Sequence, residues 1–177
     1  IEHTLHYWKA GSFSLGINSL HEFDSENLLL TTGNGVYKFN RVTKKVEHLI
    51  SLEERVFELV VSENKIWAVG NFGLLVHDLR NKKTTMFRDV DGAPLELREN
   101  LTRKILVDKE GIVWVGTVRE GLFRIAQTEN GYSFNRYRYS GVRDSGFLSQ
   151  TINALFEDSS NRLWVGGFSS GLLEFKR

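Results

Sequence analysis

The side chains that could carry chemistry are spread along this 177-residue sequence and do not form a known catalytic motif. There are five histidines and no cysteine, which excludes thiol catalysis and Cys-ligated zinc. His3 and His6 are three residues apart, and on a strand this spacing puts them on opposite faces. The spacings typical of metalloproteases, serine hydrolases and nucleotide-binding loops do not occur. We therefore expect this chain to be non-catalytic and to bind neither a metal nor a cofactor.

One run of basic and aromatic residues has side chains suited to gripping an anion or stacking on a sugar. It consists of Arg136, Tyr137, Arg138 and Tyr139, with Arg143 four residues further on. The same alternation is typical of an outer strand whose arginines are solvated while their stems cover apolar surface. We favour the outer-strand interpretation.

Composition restricts the class of protein. Hydrophobic residues make up 41% and charged residues 25% of the sequence, which is normal for a folded domain with a core. The net charge of +1 argues against a nucleic-acid partner. No apolar stretch approaches the roughly 20 residues that a membrane-spanning helix needs, so we expect no membrane contact in this segment.

Four copies of one pattern position the polar side chains. Each copy has an apolar run centred on Trp or Leu and then a glycine-containing turn, and the copies span residues 28–37, 65–75, 112–123 and 162–173. The glycines that close the turns are 38, 48 and 50 residues apart: Gly35, Gly73, Gly121 and Gly171. A period of this length is typical of a propeller or another repeat architecture.

Each repeat unit contains several short strands. An apolar run and a polar turn precede each copy, and the preceding runs are residues 17–20, 56–60, 105–108 and 152–155. A third and a fourth run follow the glycine, and no helical apolar period is visible. The sequence therefore predicts an all-β fold, a β-propeller with about four four-stranded antiparallel blades.

The predicted blades form a single segment over residues 1–177. Their approximate limits are residues 11–50, 51–90, 101–140 and 151–177, with residues 2–9 as an additional outer strand. Residues 2–9 would complete the last blade if the ring closes with four blades. We favour a fragment of a larger propeller, whose end faces would be apolar patches prone to self-association.

The predicted ligand site lies in loops at one end of the propeller, because loops on a rigid scaffold commonly carry function. The loops that join the second and third strands of each blade supply Asn34, Asn71, Phe72, Arg119, Glu120 and Phe168. The loops that join consecutive blades add Glu54, Arg55, Asn100, Arg103 and Gln150. Amide, charged and aromatic groups together suit a carbohydrate, so an oligosaccharide is the expected small-molecule partner.

The two C-terminal repeats carry a recognisable motif. From Asp108 to Phe123 the sequence reads Asp-x-x-Gly-x-x-Trp-Val-Gly-Thr-x-x-x-Gly-Leu-Phe, which resembles the two-component regulator propeller repeat. Residues 158–173 repeat it with Asn161 in place of the turn glycine and Gly167 in place of Thr. The resemblance weakens in the first copy, where Leu29 replaces the Trp.

This resemblance implies a role in signalling. Such repeats build the periplasmic sensor region of hybrid two-component sensor histidine kinases, so the resemblance implies a non-catalytic, extracytoplasmic segment that responds to carbohydrate fragments. The alternative is a protein–protein interaction or dimerisation module without a small-molecule ligand. Its partners would be a second copy or the rest of a larger propeller.

Overall fold

The computed structural model describes residues 16–99, 102–138, 150–168 and 171–175, which form four antiparallel sheets. Blade 1 contains β1 (Ser19–Glu22), β2 (Asn27–Thr32), β3 (Gly35–Asn40) and β4 (Val46–Ser51). Blade 2 contains β5 (Val56–Ser62), β6 (Lys65–Gly70), β7 (Gly73–Asp78) and β8 (Lys83–Met86). Blade 3 contains β9 (Thr102–Val107), β10 (Val113–Thr117), β11 (Leu122–Thr128) and β12 (Gly131–Tyr137). Blade 4 contains β13 (Ile152–Glu157), β14 (Leu163–Gly167) and β15 (Gly171–Phe175).

In every sheet the strands lie side by side in chain order. Consecutive strands pair antiparallel through short turns, which is the arrangement of a propeller blade. The prediction of an all-β propeller fold is therefore confirmed. Blade 4 has three strands in the described part of the chain. The fourth strand predicted from residues 2–9 lies outside the described residues.

The middle strands of the two central blades are buried on both faces. In β6, Ile66 and Ala68 pack in a core cluster with blade 1, whereas Trp67 and Val69 pack in a cluster with blade 3. Alternate side chains of a strand point to opposite faces, so one strand contributes to two interfaces. This explains why the middle strands are continuous apolar runs in the sequence.

Three core clusters join blade 1 to blade 2, blade 2 to blade 3, and blade 3 to blade 4. At the end blades, burial alternates along the middle strand. In β14, Leu163 and Val165 are buried against blade 3, but Trp164 on the opposite face is only half-buried. The described blades thus form a stack whose two end faces carry partly exposed apolar side chains.

A longer connection joins blades 2 and 3. It contains two short 3-10 turns, Phe87–Asp89 and Leu95–Leu97. Phe87 and Leu97 are fully buried in the cluster between these blades, so the connection belongs to the core. Neither these turns nor any other described helix is long and apolar enough to cross a membrane.

The glycine that closes each repeat turn adopts a backbone conformation that favours glycine. Gly35, Gly73, Gly121 and Gly171 all have positive φ, from 68° to 134°. At Gly73 a β-carbon would also lie 2.2 Å from the carbonyl oxygen of Leu97. A β-carbon at Gly35 would lie 2.0 Å from Ile50 O, and one at Gly121 would lie 2.2 Å from Tyr137 O. The repeated glycine is therefore required by conformation in each blade and by space in blades 1, 2 and 3.

The repeat motif joins a turn to a core tryptophan through one carboxylate. Asp108 Oδ1 accepts hydrogen bonds from the backbone N–H groups of Glu110 (3.0 Å) and Ile112 (2.9 Å), which fix the β9–β10 turn. Its Oδ2 accepts from Trp114 Nε1 at 2.8 Å. Both Asp108 and Trp114 are buried. One side chain therefore sets both the turn and the orientation of the indole.

Blade 4 repeats this arrangement. Asp158 accepts from Trp164 Nε1 at 2.9 Å, from the backbone N–H groups of Ser160 and Arg162, and from Arg162 Nε. These hydrogen bonds, above all the one from Trp164, hold the pKa of the Asp158 carboxyl well below its usual range. Asp158 is therefore ionised throughout the physiological pH range.

We expect the substitution Asp108→Ala to lower the free energy of unfolding by about 2–3 kcal/mol, because it leaves the buried Trp114 indole without an acceptor. Urea denaturation followed by tryptophan fluorescence measures the change. The matched control is Asp91→Ala, at an exposed position in the connection between blades 2 and 3, which should stay within about 0.5 kcal/mol of the wild type. Equal effects of the two substitutions would contradict this role for Asp108.

Candidate functional site

The loops predicted to carry a ligand site lie at one end of the blades and are tied together by backbone hydrogen bonds. The segments that join blades 1 and 2 and blades 3 and 4 bond to loops between second and third strands: Leu52 N to Asn34 O (3.1 Å), Asn71 N to Arg55 O (3.0 Å), Gly121 N to Gln150 O (2.8 Å) and Phe168 N to Thr151 O (3.0 Å). We call this end of the blades the loop end. Its backbone is held firmly, as a preformed binding surface requires.

Asn34 supports its own turn. Its side-chain oxygen accepts hydrogen bonds from Thr32 Oγ1 (2.9 Å) and from the Tyr37 hydroxyl (3.3 Å). Thr32 Oγ1 also lies 2.9 Å from the carbonyl oxygen of Gly35. The acceptor that a sugar hydroxyl would need is thus already engaged in blade 1.

Phe72 is a core residue, which corrects its assignment to the ligand-contacting surface. Its side chain is 1% exposed and packs in the cluster between blades 1 and 2. The ring covers Gly70 so closely that a β-carbon there would lie 2.5 Å from Phe72 Cε1. The two-residue β6–β7 turn folds the ring back over the sheet, so it cannot stack on a ligand in this conformation.

Glu120 belongs to an ion-pair network. Its carboxylate lies 3.3 Å from Arg136 and 3.9 Å from Arg138. Arg136 is also paired with Glu96 of the connection between blades 2 and 3. Arg136 and Arg138 are therefore compensated by carboxylates. Arg136 and Tyr137 lie in outer strand β12 and Arg138 follows its end, as the outer-strand interpretation predicts, whereas Tyr139 and Arg143 lie outside the described residues.

The other predicted site residues are exposed to solvent. Asn71, Arg119 and Phe168 are solvent-exposed, with Phe168 80% exposed. Within the described ranges, no hydrogen bond or ion pair joins any two of the six predicted residues. Asn100, from the blade-joining set, lies outside the described residues. The six remain a predicted ligand-contacting set, apart from Phe72, whose ring is buried.

The innermost strands of three blades share a feature that the loop-based prediction missed. The pairing of β5 with β6 skips Phe57, that of β9 with β10 skips Arg103, and that of β13 with β14 skips Asn153. Each skipped residue is a β-bulge, which redirects a side chain out of the regular ladder. Arg103, assigned to a blade-joining loop from the sequence, is in fact the bulged residue of β9.

These bulges border a cavity of about 380 Å³. We call it the inner-strand cavity, and its lining residues are Phe57, Arg103, Lys104, Val118, Thr151 and Asn153. The lining combines residues of three innermost strands with two loop-end residues, so the cavity opens where strands and loops meet. Thr151 donates a hydrogen bond to the carbonyl oxygen of Val118, which closes one wall.

Two basic side chains line the cavity. The guanidinium carbon of Arg103 lies 4.9 Å from the centre of the Phe57 ring, within the range of a cation–π contact. Lys104 Nζ is paired with Glu58 Oε1 at 3.1 Å, while Glu58 Oε2 accepts from the backbone N–H of Ile105 at 3.1 Å. Among the described residues, the lining contains two cations and no carboxylate.

His21 of blade 1 interacts electrostatically with the same charged residues. Burial lowers the pKa of His21, the Glu58 carboxylate opposes this effect, and the Lys104 ammonium adds to it. His21 is therefore neutral at pH 7. Its Nε2 lies 3.2 Å from Ser19 Oγ.

No group of three or more His, Cys, Asp or Glu side chains suited to a metal ion occurs within the described ranges.

A second cavity, of about 210 Å³, lies beside the Asp108–Trp114 pair and is bordered by Arg124, Tyr137 and Phe175. Its position between the outer parts of blades 3 and 4 makes it a packing gap rather than a loop-end site.

Comparison with known proteins identifies the repeat. Residues 146–169 match the family model described as the two component regulator propeller. This confirms the resemblance drawn from the motif, and the chain carries a two-component regulator propeller repeat in blade 4. No match was found among curated proteins.

Solved structures confirm the propeller fold along the chain. The extracellular domain of BT4673 from B. thetaiotaomicron, described as a one-component system, matches with a TM-score of 0.75 and 22% identity over 97% of this chain and 22% of that one. The extracellular domain of BT3049 from the same organism, described as a hybrid two-component system, matches with a TM-score of 0.70 and 19% identity over 96% and 22%. The computationally designed protein Ika4 matches with a TM-score of 0.62 and 13% identity over 94% of both chains.

The chain spans about a fifth of the length of the two B. thetaiotaomicron structures, each of which is covered to 22%.

The different positions of Phe72 and Phe168 predict opposite responses to truncation. Phe72→Ala should lower the free energy of unfolding by about 3–5 kcal/mol, because it opens a cavity between blades 1 and 2. Phe168→Ala, at an 80% exposed position of the loop end, should change it by less than about 0.5 kcal/mol. Urea denaturation of the two variants side by side makes the comparison. A small effect of Phe72→Ala would return that ring to the list of candidate ligand contacts.

Proposed function

We propose that this chain is a ligand-sensing propeller segment from the extracytoplasmic part of a two-component signalling protein, located in the periplasm. The observation that carries the proposal is the coincidence of a two-component regulator propeller repeat with a fold match to extracellular signalling domains over 97% of the chain. In this proposal the chain contributes to recognition, and a histidine kinase elsewhere in the parent protein carries out phosphotransfer.

The proposed ligand is a carbohydrate fragment. The support is the inner-strand cavity, whose volume of about 380 Å³ falls in the range of small-molecule sites. Its lining offers guanidinium, amide and hydroxyl groups next to an aromatic ring, which are the groups that bind sugar hydroxyls and ring faces. Backbone hydrogen bonds hold the neighbouring loops, so little ordering would accompany binding.

The proposed role is non-catalytic. At the loop end, the groups closest to catalytic types have structural partners: Glu120 pairs with arginines, Glu58 with Lys104, and Asn34 with its own turn. A general acid or base needs access to the substrate. These pairings support recognition rather than bond-breaking at this end.

The second candidate function is a protein–protein interaction module without a small-molecule ligand. The observation that favours it is apolar exposure on both end faces: Leu20 of blade 1 is 59% exposed, and Phe156 and Leu172 of blade 4 are 62% and 67% exposed. Large exposed apolar groups on a sheet face mark an interaction surface. Further blades of the same propeller or a second copy of the chain would fit such faces.

The two candidates are separated by a binding screen combined with a mass measurement. Isothermal titration of the protein against a panel of neutral and acidic oligosaccharides should give saturable binding to at least one member. Analytical ultracentrifugation over a hundredfold concentration range is run on the same samples. A mass that rises with concentration, without binding to any panel member, would overturn the carbohydrate-sensing proposal in favour of the interaction module.

A further inference from the structure

The inner-strand bulges occupy equivalent positions in three consecutive blades. Phe57, Arg103 and Asn153 each follow the first residue of an innermost strand, and each is skipped by the ladder. Repetition of one backbone device brings three different side chains to one cavity. The repeat thus supplies the geometry, while the residue at each bulge determines what the cavity recognises.

Arg103 differs from the arginines that pair with carboxylates. Arg41, Arg136 and Arg162 each pair with a carboxylate at 3.3 Å or closer. Arg103 makes no ion pair or hydrogen bond with the described residues, and its side chain is exposed. Its guanidinium carbon lies 4.9 Å from the centre of the Phe57 ring, a cation–π contact that uses none of its N–H donors for a hydrogen bond to a described residue.

The surroundings of Arg103 favour an anion. The neighbouring Lys104 adds a second positive charge, which Glu58 offsets from outside the lining. The Asn153 side chain is exposed, and its amide makes no hydrogen bond with the described residues. A planar fork of N–H donors matches a carboxylate bidentately, and an adjacent amide can hold a neighbouring hydroxyl.

We propose that the inner-strand cavity binds an acidic sugar, with its carboxylate paired to Arg103. The Asn153 amide binds a hydroxyl of the same sugar ring, and Phe57 positions the Arg103 guanidinium. This inference rests on the proposed carbohydrate-sensing function and narrows the ligand to the class of uronic acids. Neutral sugars lack the group that Arg103 pairs with and bind at least tenfold more weakly.

Isothermal titration calorimetry tests this proposal with three probes. They are glucuronic acid, glucose as the neutral sugar with the same ring configuration, and sodium acetate as the carboxylate alone. The wild type should bind glucuronic acid at least tenfold more tightly than either glucose or acetate. Arg103→Gln should weaken glucuronic acid binding at least tenfold. Arg80→Gln, which removes an exposed arginine in the β7–β8 turn at the opposite end of the blades, is the matched control and should bind as the wild type does.

A second variant guards against an effect of Arg103→Gln on folding. Asn153→Asp places a carboxylate beside Arg103 at an exposed position, so the fold should persist while glucuronic acid binding falls at least tenfold through charge repulsion. Thermal denaturation should show both variants melting close to the wild type. If both variants bind glucuronic acid with wild-type affinity, the proposal that Arg103 and Asn153 bind the sugar is overturned.

The probes also separate this inference from the proposed function. Neutral sugars that bind as tightly as glucuronic acid would overturn the acidic-sugar inference but leave carbohydrate sensing in place. Acetate that binds as tightly as glucuronic acid would reduce the cavity to a site for carboxylates in general, which also overturns the inference. Absence of binding by glucuronic acid and by the whole oligosaccharide panel would overturn both proposals.

Discussion

The packing of one blade against the next is the interaction on which the rest of this structure depends. A four-stranded sheet of about 35 residues has two apolar faces and cannot bury either of them alone. In β6 and β10 nearly every side chain is buried, because each strand serves the interfaces on both of its sides. The cores lie between the sheets, so each blade is stabilised chiefly by its neighbours.

The repeat motif serves this packing. Trp67 lies in the cluster between blades 2 and 3, and Trp114 lies in the cluster between blades 3 and 4. In blades 3 and 4 an aspartate at the preceding turn accepts a hydrogen bond from the indole N–H. The buried polar atom is thereby satisfied, and the ring is fixed in the orientation that fills the interface. The residues shared by the repeats thus mainly stabilise the packing between blades.

The proposed recognition site, by contrast, uses positions at which the repeats differ. The bulge position is Phe57 in blade 2, Arg103 in blade 3 and Asn153 in blade 4. The backbone conformation is common to the three blades, but the side chains are not. A repeated scaffold can in this way present a composite site whose chemistry changes by substitution at three positions, with little cost to the cores between blades.

Much of the fold could be predicted from the sequence, because strand period, turn residues and the repeated glycine are all local signals. The site was harder to predict. From the sequence, Phe72 is predicted to lie in an exposed loop. In the structure the tight β6–β7 turn directs its ring into the core. Glu120 is predicted from the sequence to be available to a ligand, because its partner Arg136 lies on a strand that is distant in sequence. The bulge at Arg103 arises from strand register, and a one-residue slip in pairing leaves no mark in the sequence.

The most direct test of this account is native-state hydrogen exchange of the protein at low concentration, resolved strand by strand. If neighbouring blades supply the stability, β6 and β10, covered on both faces, should exchange most slowly. The amides of β14 should exchange measurably faster, because the face that carries Trp164 is only partly covered. Protection of β14 equal to that of β10 would contradict the account, since it would mean that the end blade is as fully packed as the central ones.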